Sequence, residues 1–270
     1  MSENQTIRVE QKGHIATLFL NRPEKHNAMR ILFFEEMARQ FRLFDRDPSV
    51  HAVVIRGEGK SFTVGLDLPE AAEALLGGGT GAAAREDLRV RILELQEGFN
   101  QIEKCRKPVI AAAHGFCIGG GIDLMSACDI RLASRDTIFS IRETRIAIVA
   151  DVGTLQRLPH IIGQGWYREL ALTGRDFSAE DALKMGFITH LCDTREELYL
   201  QADQIAQEIA ACATLTVQGV KDVMNFSRDH GVYPGLAYVA QKNAAAVMSE
   251  DLNEAFTAFL EKRTPQFKGN

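Results

Sequence analysis

Three carboxylic acids and one cluster of glycines are the residues of this chain best suited to chemistry. Asp123 stands just after Gly119-Gly120-Gly121, and Glu143 and Asp151 follow it at short intervals. Carboxyl groups move protons. The glycines lie where a strand, Val109–Ala113, gives way to a helix, and they leave backbone N–H groups bare at a positive helix terminus. Such donors suit a carbonyl oxygen that becomes anionic during a reaction. Together these parts would take a proton from beside a carbonyl and stabilise the anion that results. The competing reading of the glycines is a tight strand-to-helix turn that binds nothing.

Each acid also has a purely structural reading. Asp123 lies among Gly121, Ile122, Leu124 and Met125, so its helix buries it, and a buried lone carboxylate is costly unless it is used or paired. Glu143, flanked by Arg142 and Arg145, reads on its own as one half of a solvated ion pair. Asp151, ahead of Val152-Gly153-Thr154, reads on its own as a helix N-cap. Phosphate-binding loops fail on spacing: Gly59-Lys60-Ser61 ends like one, but Val54 stands where its first glycine is needed. Neither Gly-x-Gly-x-x-Gly nor Gly-x-Ser-x-Gly occurs at a strand–helix junction, so a dinucleotide fold and a serine hydrolase are both unsupported.

The elements that must hold these residues follow from the hydrophobic pattern. Ile7–Glu10 and Ile15–Leu20 alternate around Gly13-His14 as a hairpin, which the run Asn21-Arg22-Pro23-Glu24-Lys25 closes. A helix near Arg30–Asp45 is expected to stop at Asp47-Pro48. Buried strands are expected at Ala52–Arg56 and Pro108–Ala113. Between them Ala71–Ala84, centred on Gly77-Gly78-Gly79-Thr80-Gly81, reads as a mobile surface loop before a helix at Arg85–Lys104. Further strands are expected at Ile130–Ala133, Thr137–Ser140 and Ile188–Leu191. Helices fill the rest. The order implies an α/β fold, with a core over residues 1–195 that carries the site and a helical C-terminal region over 196–270.

Composition narrows the function classes. The chain has 270 residues, 46% of them hydrophobic, and a formal net charge of −5, so it builds a core without disulfide or metal. An acidic balance without a block of consecutive Lys or Arg argues against a surface made for nucleic acid or an anionic membrane. Cys105, Cys117, Cys128, Cys192 and Cys212 form no Cys-x-x-Cys pair and have no His at ligand spacing, which points to a reduced compartment and no metal site. The first residues carry neither an apolar core nor an Arg-rich amphipathic pattern, and Lys268-Gly269-Asn270 is not a peroxisomal tripeptide. A cytoplasmic protein is therefore expected. No stretch approaches the roughly 18 uninterrupted apolar residues of a spanning helix.

Taken in order, Asn21–Ala28, Phe62–Leu68, His114–Leu124 and Ala127–Arg131 resemble the landmarks of the crotonase (enoyl-CoA hydratase/isomerase) superfamily. The resemblance runs along essentially the whole chain and implies a crotonase-like spiral core of strands and helices. Within the superfamily, the stretches Lys107–Ala112 through Ala150–Pro159, and Phe226-Ser227-Arg228-Asp229-His230, are similar to the Δ3,5-Δ2,4-dienoyl-CoA isomerases. By that resemblance Leu66 and Gly120 donate their backbone N–H groups to a thioester oxygen, and Asp123, Glu143 and Asp151 are the catalytic acids. Hydratases of the superfamily generally have Glu at both of the first two positions, whereas dienoyl-CoA isomerases are similar to this chain at all three. Val64 and the Ala/Gly-rich segment at 71–84 depart from the pattern and bear on the shape of the acyl pocket.

The implied reaction is a step of fatty acid β-oxidation. Bringing a 3,5-diene into conjugation with a thioester removes a proton at C2 and delivers one at C6 through a dienolate, which needs two proton-transfer groups and an oxyanion hole. Metals and redox cofactors have no part in it, and coenzyme A belongs to the substrate. Glu143 is read as the C2 base, Asp151 as the C6 acid and Asp123 as the group that orients or tunes them, with the first two roles open to exchange. Arg22 and Lys25 are candidate contacts for the phosphates of coenzyme A, against a solvated turn. One alternative is a 2-enoyl-CoA hydratase using Glu143 and a water held by Asp123, against which Asp151 counts. Another is a scaffold that binds RNA or protein, which the acidic charge and the intact acid set disfavour. Members of the superfamily form trimers, often paired into hexamers, and Phe259–Phe267 resembles their terminal element. A homotrimer or homohexamer is thus expected.

Overall fold

A computed structural model describes residues 6–76 and 79–269. β1 (Ile7–Lys12) and β2 (Ile15–Leu20) form the expected antiparallel hairpin, with Gly13 at φ +58° in its turn. α1 (Ile31–Arg46) buries Phe33, Phe34, Met37, Phe41 and Phe44 on one face, because apolar residues three and four apart make one stripe on a helix. β3 (Ala52–Gly57) follows. Then come α2 (Leu68–Leu76), α3 (Ala82–Lys104) and β4 (Val109–Ala113).

The expected loop at 71–84 is thus mostly helix. Leu68-Pro69-Glu70-Ala71-Ala72 places a proline and an acidic residue in a first turn, where both favour a helix, and the alanines propagate it. Gly77 and Gly78, the centre of the expected loop, lie outside the described residues. Composition alone misreads an alanine-rich helix flanked by glycines.

The glycine turn leads from β5 (Phe116–Ile118) into α4 (Gly120–Ala127), then β6 (Ile130–Ser134) and β7 (Ile138–Ser140). A single 3-10 turn over Glu143–Ile146 precedes α5 (Thr154–Arg157), α6 (Pro159–Ile162) and α7 (Gln164–Thr173). β8 (Asp176–Ser178), α8 (Ala179–Met185) and β9 (His190–Cys192) complete the strands. The remainder is α9 (Arg195–Ala210), α10 (Thr214–His230), α11 (Val232–Ala246) and α12 (Glu250–Glu261).

The main sheet has the order β1-β2-β3-β4-β6-β9 and is parallel after the first pair; β5, β7 and β8 make a second, smaller sheet. β3 and β4 are buried from end to end, as parallel strands covered on both faces must be. Their side chains alternate between two cores. Val53, Ile55, Val109 and Ala111 join the phenylalanines of α1, while Ala52, Val54, Ile110 and Ala112 meet Leu198, Ala202 and Ala206 of α9. The helical run does begin at Arg195, yet its first helix is a layer of the sheet core, and the helices outside that layer start with α10. α10 is tied down by Lys221, only 6% exposed, whose ammonium donates to the carbonyls of Ile102 (3.4 Å) and Lys107 (3.1 Å) and pairs with Asp129 (2.7 Å).

Candidate active site

The segment after β3 runs extended between two others. On one side the Thr63 N–H donates to the Phe116 carbonyl (2.9 Å) and the Ile118 N–H to the Thr63 carbonyl (3.1 Å). On the other the Met29 N–H donates to the Gly65 carbonyl (2.7 Å) and the Asp67 N–H to the Met29 carbonyl (2.9 Å). The Leu66 N–H between them therefore points away from Met29, since successive residues of an extended chain present their backbone groups to opposite sides. Gly120 opens α4, and an N–H in the first turn of a helix has no carbonyl four residues back within it.

Glycines let these two donors approach. Gly65 has φ +82°, and a Cβ on it would lie 2.7 Å from the Ile118 carbonyl oxygen and 3.3 Å from the Gly120 nitrogen. A Cβ on Gly120 would lie 2.9 Å from Met29 Sδ, and one on Gly119 would lie 3.2 Å from Glu143 Oε1. The Gly119 N–H also donates to the Ser140 carbonyl (2.8 Å), which ties the turn to the end of β7, just before Glu143. Leu66, Gly120 and Glu143 are thereby brought to one place.

The carboxylates share that place. Asp123 is fully buried, and its Oδ1 accepts from the Thr154 N–H at 2.5 Å. It thus caps α5 from another helix. Asp151, the expected N-cap, does not: the N-cap is Gly153, at φ +131°. The Asp151 backbone carbonyl accepts from Gln96 Nε2 (2.7 Å), and its carboxyl group caps no helix among the described residues. Among the described residues Glu143 has no ion pair either: Arg142 pairs with Asp176 (2.5 Å) and Arg145 donates to the Thr173 carbonyl (3.2 Å). Glu143 Oε2 and Asp123 Oδ2 are buried with no hydrogen-bond partner among the described residues.

Burial therefore governs the protonation of all three. It pushes the Glu143 carboxyl up to about 7, with the Asp123 charge adding to the rise. It raises Asp123 to about 6 against the opposing hydrogen bonds of Thr154. Asp151 is raised as well, again by burial. Glu143 and Asp123 thus hold or release a proton near neutrality, and such carboxyls beside two bare N–H donors can move protons next to a carbonyl and stabilise its enolate.

The other candidates are placed differently. Arg22 Nη1 donates to the Ala28 carbonyl (2.6 Å) and to Asp67 (2.9 Å), so its guanidinium clamps the segment that carries Leu66. Lys25 is exposed and has no side-chain partner among the described residues. Two residues that sequence reading left without a role also shape the site. Asn27, buried at φ +55°, donates to the carbonyls of Glu58, Ser61 and Phe62 and accepts from the Arg22 N–H (2.8 Å). Met29 supplies the floor below Gly120. An Asn, a residue type that tolerates positive φ, inside the polar Asn21–Ala28 motif is the available signal; nothing in the sequence marks Met29.

Asp151 lines a polar cavity of about 290 Å³ with Gln96, Asn100 and Arg157. A larger cavity of about 550 Å³ is an apolar groove among α10, α11 and α12 that touches none of the three acids. Among the described residues no group of three or more His, Cys, Asp or Glu is arranged to hold a metal ion.

The sequence model of the family described as enoyl-CoA hydratase/isomerase matches residues 10–270. The chain is 42% identical over 274 residues to the mitochondrial Delta(3,5)-Delta(2,4)-dienoyl-CoA isomerase of Dictyostelium discoideum, covering 100% of this chain and 94% of that protein. It is 42% identical over 266 residues to the peroxisomal Delta(3,5)-Delta(2,4)-dienoyl-CoA isomerase of Arabidopsis thaliana, covering 97% and 96%. Among solved structures, an enoyl-CoA hydratase from Bacillus anthracis superposes with a TM-score of 0.90 at 30% identity, over 98% of this chain and 100% of that one.

Proposed function

The chain belongs to the enoyl-CoA hydratase/isomerase family, and on that premise we propose that it isomerises 3,5-dienoyl-CoA thioesters to 2,4-dienoyl-CoA. The observation that carries this reading is the third carboxyl: Asp151 stands beside Asp123 and Glu143 with its carboxyl raised and not spent on a helix cap. A hydratase needs no such group. The 42% identity to two named dienoyl-CoA isomerases, against 30% to the solved hydratase, supports it.

The thioester oxygen sits between the Leu66 and Gly120 N–H groups. Ionised Glu143 takes a proton from C2, and the electron pair left behind spreads through the diene to the thioester oxygen. Protonated Asp151 delivers a proton to C6, which moves the double bonds to C2=C3 and C4=C5. Asp123, fixed by the Thr154 N–H, keeps its charge beside Glu143 and holds that carboxyl basic. A lost oxyanion donor typically costs about 10² to 10³ in rate and a lost acid or base about 10² to 10⁴. Glu143→Gln and Asp151→Asn should therefore each fold normally and turn over 3,5-octadienoyl-CoA about 10²-fold more slowly or worse. Near-wild-type turnover in either would overturn the assignment.

The wider setting belongs to the same reading. Lys25 and the remaining guanidinium N–H groups of Arg22 meet the phosphates of coenzyme A; no metal or redox cofactor takes part, and turnover should survive dialysis against a chelator. The five free thiols support a reducing compartment, which we propose is the cytoplasm; the relatives above are named mitochondrial and peroxisomal. Assembly as a homotrimer or homohexamer is supported by apolar side chains left open on α11 and α12.

A further inference from the structure

The Phe226–His230 motif and Arg157 have no part in the chemistry above, yet they converge on the turn that carries Asp151. Gln96, Asn100 and Glu103 stand at i, i+4 and i+7 on α3, so they form one polar stripe facing that turn. Gln96 holds the Asp151 carbonyl (2.7 Å). Arg157 Nη2 donates to Asn100 Oδ1 (2.7 Å) and to Glu103 Oε2 (3.0 Å), and its Nε donates to the same Glu103 oxygen (3.1 Å). Its Nη1 lies 3.5 Å from the Val152 carbonyl and so close to Gly153 that a Cβ there would fall 1.8 Å from it. The guanidinium is thus wedged against the backbone of residues 152 and 153.

Arg228 of α10 pairs with the other Glu103 oxygen, Oε1, and with Asp229 (2.7 Å). Phe226 stacks on His230 and on Tyr238 of α11, which fixes the direction in which α10 presents Arg228. Burial alone would raise the Glu103 carboxyl, but Arg157 and Arg228 hold it below the ordinary carboxylate range, so it stays charged between them.

We propose that Arg157 and Arg228, sharing the Glu103 carboxylate, are positioning residues that set Asp151 for the proton transfer at C6 and make that transfer dependent on α10. The inference rests on the isomerase reading above. The geometry favours an effect on one half of the reaction: the Arg157 wedge touches the Asp151 turn directly, whereas Glu143 is held by the 3-10 turn after β7 and is reached from Arg157 only through Asp123. A misplacement of about 1 Å can cost on the order of 10² in rate.

The test uses the full-length protein with Arg157→Lys, Glu103→Gln and Arg228→Met. Each is assayed with 3,5-octadienoyl-CoA for isomerisation by ultraviolet absorbance and, in D2O, for exchange at C2 by NMR. We expect kcat for isomerisation to fall about 10- to 100-fold with KM little changed, while C2 exchange is retained. Arg228 is partly exposed, so its variant keeps the test open if a change at Arg157 impairs folding. Variants that lose both half-reactions together, or none, would overturn this inference alone. A wild-type protein that isomerises no 3,5-dienoyl-CoA would overturn the isomerase reading and this inference with it.

Discussion

Glu143 must be ionised to accept the C2 proton, so a carboxyl pushed up to about 7 sets the acid side of the rate profile. The account predicts that kcat/KM falls about tenfold per pH unit below 7. A profile flat down to pH 5 would contradict it. The same shift has a stability consequence whose sign is fixed. A carboxyl whose folded value exceeds its ordinary 4.5 binds its proton more tightly in the folded state, so that contribution is full at low pH and is lost as pH rises from 4.5 to 7. Glu143→Gln removes the charge that burial disfavours, and should stabilise the protein by about 1 to 3 kcal/mol at pH 8 and hardly at all at pH 4, read from denaturant midpoints. The burial of Asp123 is legible from its apolar neighbours. That of Glu143 is not, because its adjacent arginines turn to Asp176 and Thr173, partners distant in sequence that only the fold supplies.

Elements place the donors as well as the acids. The Gly119–Gly121 turn is readable as a strand-to-helix junction, although the strand that enters it is β5 and not the expected Val109–Ala113, and the need for Gly65 comes from its contact with Ile118 and Gly120, which no local pattern reveals. Gly65→Ala combines a strained φ with a backbone clash, so the segments bearing the Leu66 and Gly120 N–H groups must separate. The variant should lose about 10²-fold or more in kcat, as when an oxyanion donor is removed, and activity within a few fold of wild type would show that the donors tolerate displacement. α5 teaches the complementary lesson. Asp151-Val152-Gly153-Thr154 looks like a cap followed by a helix, yet the cap is Asp123, reached across space. Helix starts are legible from sequence only where the capping group is local. α2 was missed for a different reason, since its alanines sit beside glycines that mimic a linker.

At the scale of the molecule, large apolar side chains stand open on α11, on α12 and on the bend between them: Tyr233 is 85% exposed, Phe259 81% and Met248 93%. The proposed homotrimer or homohexamer would cover such side chains, so sedimentation should give a trimer or hexamer and Tyr233→Glu with Phe259→Glu should shift it toward monomer; a wild-type monomer at micromolar concentration would contradict the assembly. The alternation of strands and helices was enough to read the α/β core, while the role of α9 as a layer of the sheet was hidden because a covering helix and an outlying one share the same amphipathic pattern. The most direct test of the central claim compares kcat/KM for isomerisation of 3,5-octadienoyl-CoA with kcat/KM for hydration of crotonyl-CoA, on one wild-type preparation. The Thr154 N–H engages one Asp123 oxygen, which leaves this carboxylate a single oxygen for a water over C3. Isomerisation should exceed hydration by about 10²-fold or more, the scale set by one correctly placed acid or base. Hydration that matches or exceeds isomerisation would contradict the account.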